Sequence, residues 1–396
     1  MINSNRCFNM KFIYFISLAI EPEKIQERIP IHSHGASPRM KYLLKLIHKC
    51  SKKNELIIVS QGCGQRGGSQ TKKESVYREE PEIMEVYFGY FGNGLLQQLS
   101  LIISSIIWIT KNIRTDDVII TYNFEPRIAV PLIITKFYRQ YKLIIDFEEL
   151  YHTIGGIYRI PFALCEIFGI KISYGFITCS SEIVKIIRKT RKDNPPIVMS
   201  YGSPGECFKP SGRGLDNGRL HLAYSGSLDI NRGIRDLIHA MSLVEDIADL
   251  TITGKGPLSG YIQNISKLHK NITFKGYLDD EQLNNLLNEC DICINPTPAD
   301  IAFSKYSFPS KVIFYLCKGK IVLSTRLDVL LNSPYQEIIQ FYDGSDPQSF
   351  RNALVSIQKN FHSLSEKTVQ FSQEIHKIQS KEYEDISLLL MKVSMI

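Results

Sequence analysis

From Lys11 onward, apolar runs of four to eight residues alternate with longer stretches of helical periodicity. The short runs are FIYFISLA (12–19), ELIIVS (55–60), DVIITYN (117–123), KLIIDFE (142–148), GFITCS (175–180) and PIVMSY (196–201). Continuous runs rich in β-branched residues predict parallel strands covered on both faces. Their alternation with helices predicts a doubly wound α/β domain. The segment 203–220 holds two Pro and four Gly without an apolar period, and reads as an interdomain linker.

The alternation then resumes. LHLAYSGS (220–227), ADLTITG (248–254), ITFKGY (272–277), DICINP (291–296) and KIVLST (320–325) read as strands. Ile230–Val244, Asp279–Cys290 and 309–319 read as helices, the second capped by Asp279 or Asp280 and the third closed by Gly319. Two α/β domains are expected, at 1–205 and 206–362, with a helical tail at 363–396 that packs back on the first domain.

A length of 396 residues agrees with two to three domains. Hydrophobic content of 44% and charge of 22% exclude collagen, rods and disorder. The net charge of +7 falls short of a nucleic-acid binder but suits phosphates or an anionic membrane surface. Nine scattered Cys argue against a disulfide framework and for a cytoplasmic protein. The run Phe12–Ile20 has no cleavage pattern after it and reads as a first strand. Leu99–Thr110 is too short to span a bilayer, which needs about 20 residues, and reads as a buried helix.

Several local motifs carry little. GCGQRG (62–67) follows a strand, yet no apolar helix follows it, so a surface loop is expected. GKGP (254–257) reads as a tight turn, and Cys290–Cys293 as small apolar residues. No Asp-x-Asp occurs, so the metal-binding pair of single-domain nucleotide-sugar enzymes is missing. YSGSLDINRGIRDLIHAM (224–241) is richer. Gly226 stands at a strand-to-loop turn and Arg232 at the start of a helix, a combination suited to a diphosphate. DFEELYH (146–152) ends a strand, where α/β sheets place their ligands. Its Asp146, Glu149 and His152 are candidate acid–base groups.

YSGSLDINRGIRDLIHA, LTITGKGP, ITFKGYLDDEQLNNLLNECDICINPTP and SFPSKVIFYLCKGKIVLST follow one another at natural spacing. Their order resembles the nucleotide-binding domain of group 1, or family 4, glycosyltransferases. SHGASPRMKYLLKLI (33–47), GFITCSSEIVKIIRKT and PIVMSYGSPGECFKP resemble parts of the same family's first domain. The resemblance covers about residues 11–360. It implies the GT-B fold: two Rossmann-like α/β/α domains whose parallel sheets face across a cleft. It also implies a nucleotide-sugar donor, transfer with retention to a glycan or polyprenyl-linked acceptor, and no essential metal or other cofactor.

Carried over by motif, Arg232 matches a diphosphate-gripping Lys, Gly226 the Gly before it, and Ser227 a position where many members have Arg. Ser310 and Lys311 in FPSK complete the phosphate side, with Gly254 in the turn after the next strand. Lys275 and Tyr277 fall where members hold the nucleobase. His34, Gly35 and Arg39 form the acceptor loop. Tyr306 and Phe314 stand where many members carry two Glu. Phe accepts no hydrogen bond, and losing a charged one costs about 1.5–3 kcal/mol.

The expected function is sugar transfer in surface-polysaccharide synthesis such as lipopolysaccharide or capsule, at the inner face of the cell membrane and without nucleic acid. TKFYRQYK (135–142) and IVKIIRKTRK (183–192) are the expected membrane-facing segments; the alternative is that these cations close helix C-termini. Two other functions fit the same architecture. One is a catalytically degenerate partner subunit, motivated by Tyr306 and Phe314. The other is a nucleotide-sugar 2-epimerase, which needs no acceptor.

Overall fold

A computed structural model describes residues 10–18, 36–51, 55–62, 74–80, 83–154, 159–202 and 218–395. The chain divides into two compact units, Met1–Gly202 with Ser380–Ile396, and Ser203–Gln379.

The first unit contains strands β1 (Phe12–Ile16), β2 (Leu56–Ser60), β3 (Ser75–Glu80), β4 (Ile83–Tyr87), β5 (Val118–Tyr122), β6 (Lys142–Phe147), β7 (Gly175–Thr178) and β8 (Ile197–Met199). They form one sheet in the order β3-β4-β2-β1-β5-β6-β7-β8. All neighbours are parallel except the edge pair β3–β4. Every residue of β1, β2, β5 and β6 is buried, which is why these strands read as unbroken apolar runs. The helices are α1 (Ala36–Ser51), α2 (Gly94–Asn112), α3 (Pro126–Arg139), α4 (Arg159–Ile172) and α5 (Ser181–Thr190). On one side of the sheet, Met40, Leu43 and Ile47 of α1 share a core with Tyr14, Ile120 and Ile144.

The second unit has β9 (Leu220–Ser225), β10 (Ala248–Thr253), β11 (Ile272–Phe274), β12 (Ile292–Asn295), β13 (Ile321–Thr325) and β14 (Ile339–Tyr342). The order β11-β10-β9-β12-β13-β14 is parallel throughout. Its helices are α6 (Ile234–Met241), α7 (Ser259–Leu268), α8 (Asp280–Glu289), α9 (Ser310–Cys317), α10 (Asp328–Leu331) and α11 (Pro347–Lys359). Asp279 caps α8 in a reciprocal box with Gln282. Helix α12 (Phe361–Met395) begins in the second unit and ends in the first, where Ile386, Leu389 and Val393 enter the α1 core.

Three expectations change. The helix expected at Ile230–Val244 is interrupted: a 3₁₀ turn Ile230–Arg232 precedes Gly233, and α6 starts after it. Gly233 has φ +70°, and a Cβ there would lie 1.8 Å from the Pro296 carbonyl oxygen, so no continuous helix fits. The run Leu99–Thr110 belongs to a 19-residue helix, α2, that is long and apolar enough to cross a membrane by length and composition. It is not the buried helix expected, since Leu99, Ile103 and Ile107 are exposed. The basic segments are largely engaged in closing helices: Lys136 donates to Tyr141 O, Arg139 to Thr110 O and Arg188 to Pro195 O. The GCGQRG loop from Cys63 on and linker residues 203–217 lie outside the described residues.

Candidate functional site

In the second unit, three strands end on glycine turns side by side. Gly226 follows β9, Gly254 follows β10, and Gly276 lies just beyond β11, all with positive φ. The Gly254 N–H donates to Gly276 O at 2.8 Å, and the Gly226 N–H to Thr253 O at 3.2 Å. A Cβ on Gly254 would sit 1.9 Å from Gly226 O. The carboxyl edge of the sheet is thus a bare backbone shelf.

Lys311 is aimed at this shelf. One turn along α9, the Tyr315 hydroxyl donates to Ser225 O and accepts from Ser225 N, each at 3.1 Å. This fixes the face of α9 that carries Lys311 against the end of β9. The Lys311 ammonium lies 4.2 Å from the Tyr224 ring centroid and 3.2 Å from where a Gly226 Cβ would be. It is buried and has no hydrogen-bond partner. Burial, with the Arg232 charge adding to it, lowers its pKa to about 7. Arg232 itself stacks on Phe303, 5.0 Å from the ring centroid, where the close approach of Gly233 to Pro296 delivers it. Two cations therefore stand near one glycine turn, one of them a buried ammonium without a partner. Such a charge calls for an anion.

Gly226, Gly254, Arg232 and Lys311 are brought together as the sequence suggested, and Ser227 follows them on the exposed loop. Ser310 opens α9. Lys275 is exposed. Tyr277 is half-exposed and lies under the Lys255 ammonium at 3.8 Å, a partner the sequence did not reveal. Phe314 packs at 6.2 Å from the Tyr315 ring and lies under Lys318 at 5.4 Å, while Tyr306 ends a 3₁₀ turn.

In the first unit, DFEELYH divides into buried and open groups. Asp146 is fully buried and holds Arg39, itself only 2% exposed, through Nε at 3.3 Å and a terminal nitrogen at 2.5 Å. Arg39 also donates to Ser200 O at 2.6 Å. Burial raises the Asp146 carboxyl, and the Arg39 guanidinium opposes that shift. The expectation that Asp146 acts on substrate and Arg39, in the acceptor loop, on the acceptor or a donor phosphate is corrected: each is the other's counter-ion in the interior. His34 and Gly35 of the same proposed loop lie outside the described residues.

Glu148 is bonded by the Tyr122 hydroxyl, and burial raises its pKa. The Asn123 side-chain oxygen accepts from the N–H groups of Glu148 at 2.9 Å and Glu149 at 3.3 Å. The chain then turns through the 3₁₀ segment Tyr151–Ile154. The His152 ring keeps 27% of its surface open, and its Nδ1 meets Oε2 of buried Glu166. Oε1 of Glu166 accepts from the Tyr151 N–H at 2.6 Å and the His152 N–H at 3.4 Å. A carboxylate on Nδ1 orients the ring and leaves Nε2 for chemistry. Glu166 was missed because it lies 14 residues away inside the apolar pattern of α4.

Residues 219–360 match the model of a family described as Glycosyl transferases group 1. No curated protein matches the chain in sequence. Solved structures match its fold over nearly its whole length. The catalytic domain of starch synthase IV from Arabidopsis thaliana, bound to ADP and acarbose, has TM-score 0.65 at 10% identity, covering 98% of this chain and 100% of that one. HepE from Anabaena, in complex with UDP and glucose, has TM-score 0.65 at 13% identity, covering 96% and 99%. The lipopolysaccharide outer core galactosyltransferase WaaB has TM-score 0.63 at 11% identity, covering 97% and 99%. The fold is GT-B.

Proposed function

We propose that the chain, whose second unit is a group 1 glycosyltransferase domain, is a nucleotide-sugar-dependent glycosyltransferase. It moves a sugar, with retention, to a hydroxyl of a glycan or polyprenyl-linked acceptor. Its setting is surface-polysaccharide assembly at the inner face of the cell membrane, and it uses no metal or other cofactor. The observation that carries the donor assignment is the buried, unpartnered Lys311 ammonium beside Arg232 and the Gly226 turn. As the bond from the sugar to the diphosphate breaks, negative charge grows on the leaving oxygen. Preorganised cations stabilise that charge more than they stabilise the ground state.

Tyr277 offers a ring face to the nucleobase, with Lys255 on it. In the first unit, His152 oriented by Glu166 takes the acceptor proton, and Glu149 steadies positive charge on the sugar. Support for the pathway is the likeness to WaaB, a lipopolysaccharide enzyme, and for the donor class the likeness to HepE with UDP.

Thermal shift against UDP, GDP, ADP and their sugar conjugates tests the reading. A ligand at 100 times its dissociation constant stabilises by about 2.7 kcal/mol. One nucleotide family is expected to do so, and Lys311→Met or Arg232→Ala to abolish the shift. No shift at millimolar concentration would favour the second reading, a non-catalytic partner subunit. Phe314 motivates it, because this ring supplies no acceptor for a ribose hydroxyl.

A further inference from the structure

Three neighbouring helices of the first unit share an unusual surface. Helix α2 packs on α3, and α3 on α4. The inward residues Leu101, Trp108 and Ile109 of α2 are buried, with Trp108 against Phe88. The outward residues of α2 are apolar as well. Leu95, Leu99, Ile103 and Ile107 recur every fourth position and are all exposed, Leu95 by 76%. On α3 the exposed side chains include Ile134 and Phe137, the latter 77% open. On α4 Ile160, Leu164 and Phe168 are exposed. More than half of the exposed large apolar side chains among the described residues lie on these three helices. Isolated exposed apolar groups need no explanation, but a face this dense marks a contact surface.

The charges select the occupant. Helices α2 and α3 contain no acidic residue, and the one on α4 is Glu166, buried on His152. Exposed bases stand at the ends: Lys111 on α2, Arg114 after it, and Arg159 and Lys171 at either end of α4. Asp116 is the exposed acid in the loop after α2. A second copy would bring the same bases together in a chain already at net +7. An anionic bilayer meets both features, taking apolar side chains into its interface and bases onto its headgroups.

We infer that the outer face of α2, α3 and α4 seats the first unit on an anionic membrane. The inserted groups are the Leu95–Ile107 row and Phe137. α2 lies along the surface, held to its unit by Trp108 and Ile109, and does not cross it. This assigns a site to the membrane setting proposed above and rests on that reading only for why the enzyme is there. It overlaps the expected segment 135–142 at Phe137 and leaves out the segment 183–192.

The test is flotation of the full chain with vesicles of phosphatidylcholine alone, or with 30% phosphatidylglycerol at physiological salt. Binding is expected to the anionic vesicles, at least tenfold stronger than to the neutral ones. The double variant Leu99→Glu/Phe137→Glu should lose at least tenfold in partitioning while its melting and its nucleotide-induced shift stay unchanged. Lys111→Glu/Arg114→Glu, which leaves the apolar row intact, should weaken anionic binding several-fold. Failure to float with anionic vesicles, or undiminished binding by both variants, overturns the inference. So does a stable dimer in solution that the first variant converts to monomer, which would make this face a contact between copies. Because the nucleotide shift is read separately, a failed donor reading and a failed membrane reading are distinguishable.

Discussion

Glu166 holds both the backbone of the turn at Tyr151–Ile154 and the ring of His152, and a Glu166→Gln variant separates the two duties. The amide oxygen still accepts from the Tyr151 N–H. The amide nitrogen, however, donates toward Nδ1 and forces the ring proton onto Nε2, where a base needs a lone pair. The expected result is a kcat at least tenfold lower, with KM and the melting temperature nearly unchanged. Unchanged kcat would reduce Glu166 to a structural tether. Arg39 and Asp146 make the opposite case. Arg39→Ala leaves a carboxyl buried without its partner and should cost about 3–5 kcal/mol. Arg39→Met/Asp146→Leu should cost less than the single change, as read by urea denaturation. If the single variant loses under about 1 kcal/mol, the pair does not hold this unit. Asp146 looked catalytic in sequence because an acid at a strand end is a sound site signal. Its partner is 107 positions away, and only the placement of α1 beside β6 decides that it is neutralised.

At the scale of elements, the glycine turns set where the phosphate cations go. Gly254 has φ +142° and no room for a Cβ, so Gly254→Ala should destabilise the second unit by about 1–3 kcal/mol and weaken nucleotide binding together. Gly260, in the first turn of α7, meets nothing within 4 Å. Gly260→Ala should be neutral or stabilise by up to about 1 kcal/mol, with binding intact. Equal losses in the two variants, read by melting with and without nucleotide, would remove the shelf from the argument. Elements buried on both faces were legible, since β1, β5, β6 and β13, buried at every residue, read as short apolar runs. The edge elements were not. β3 and β4 carry Glu among their apolar residues, which breaks the apolar run, and Glu85 of β4 is buried all the same, bonded by the Tyr87 hydroxyl. The outward face of α2 misled in the other direction, because an apolar surface has the composition of a core.

At the scale of the whole molecule, two buried groups in different units give opposite pH responses. Glu382 lies on the part of α12 that belongs to the first unit, where Tyr42 donates to it at 3.0 Å. Burial lifts its pKa from 4.5 to about 7, against Ser200, Tyr42 and Arg39, which lower it, and with Asp146, which raises it. Between pH 4.5 and 7 the folded unit binds more protons than the unfolded chain, so its stability falls as pH rises, by up to about 3 kcal/mol. Lys311 is in the second unit, with its pKa lowered from 10.5 to about 7. Between pH 7 and 10.5 the unfolded chain binds more protons, so stability of that unit rises with pH. A two-unit chain is free to melt in two steps, which lets calorimetry assign each response. Glu382→Gln should flatten the acid-side fall of one transition and leave the other alone. Lys311→Met should flatten the alkaline-side rise of the other. A bound diphosphate favours the charged ammonium, so nucleotide binding near pH 8 should take up a proton. Titration calorimetry in buffers of different ionisation enthalpy reads that uptake directly. Proton uptake of zero in the wild type, with nucleotide bound, would mean that the anion does not reach Lys311.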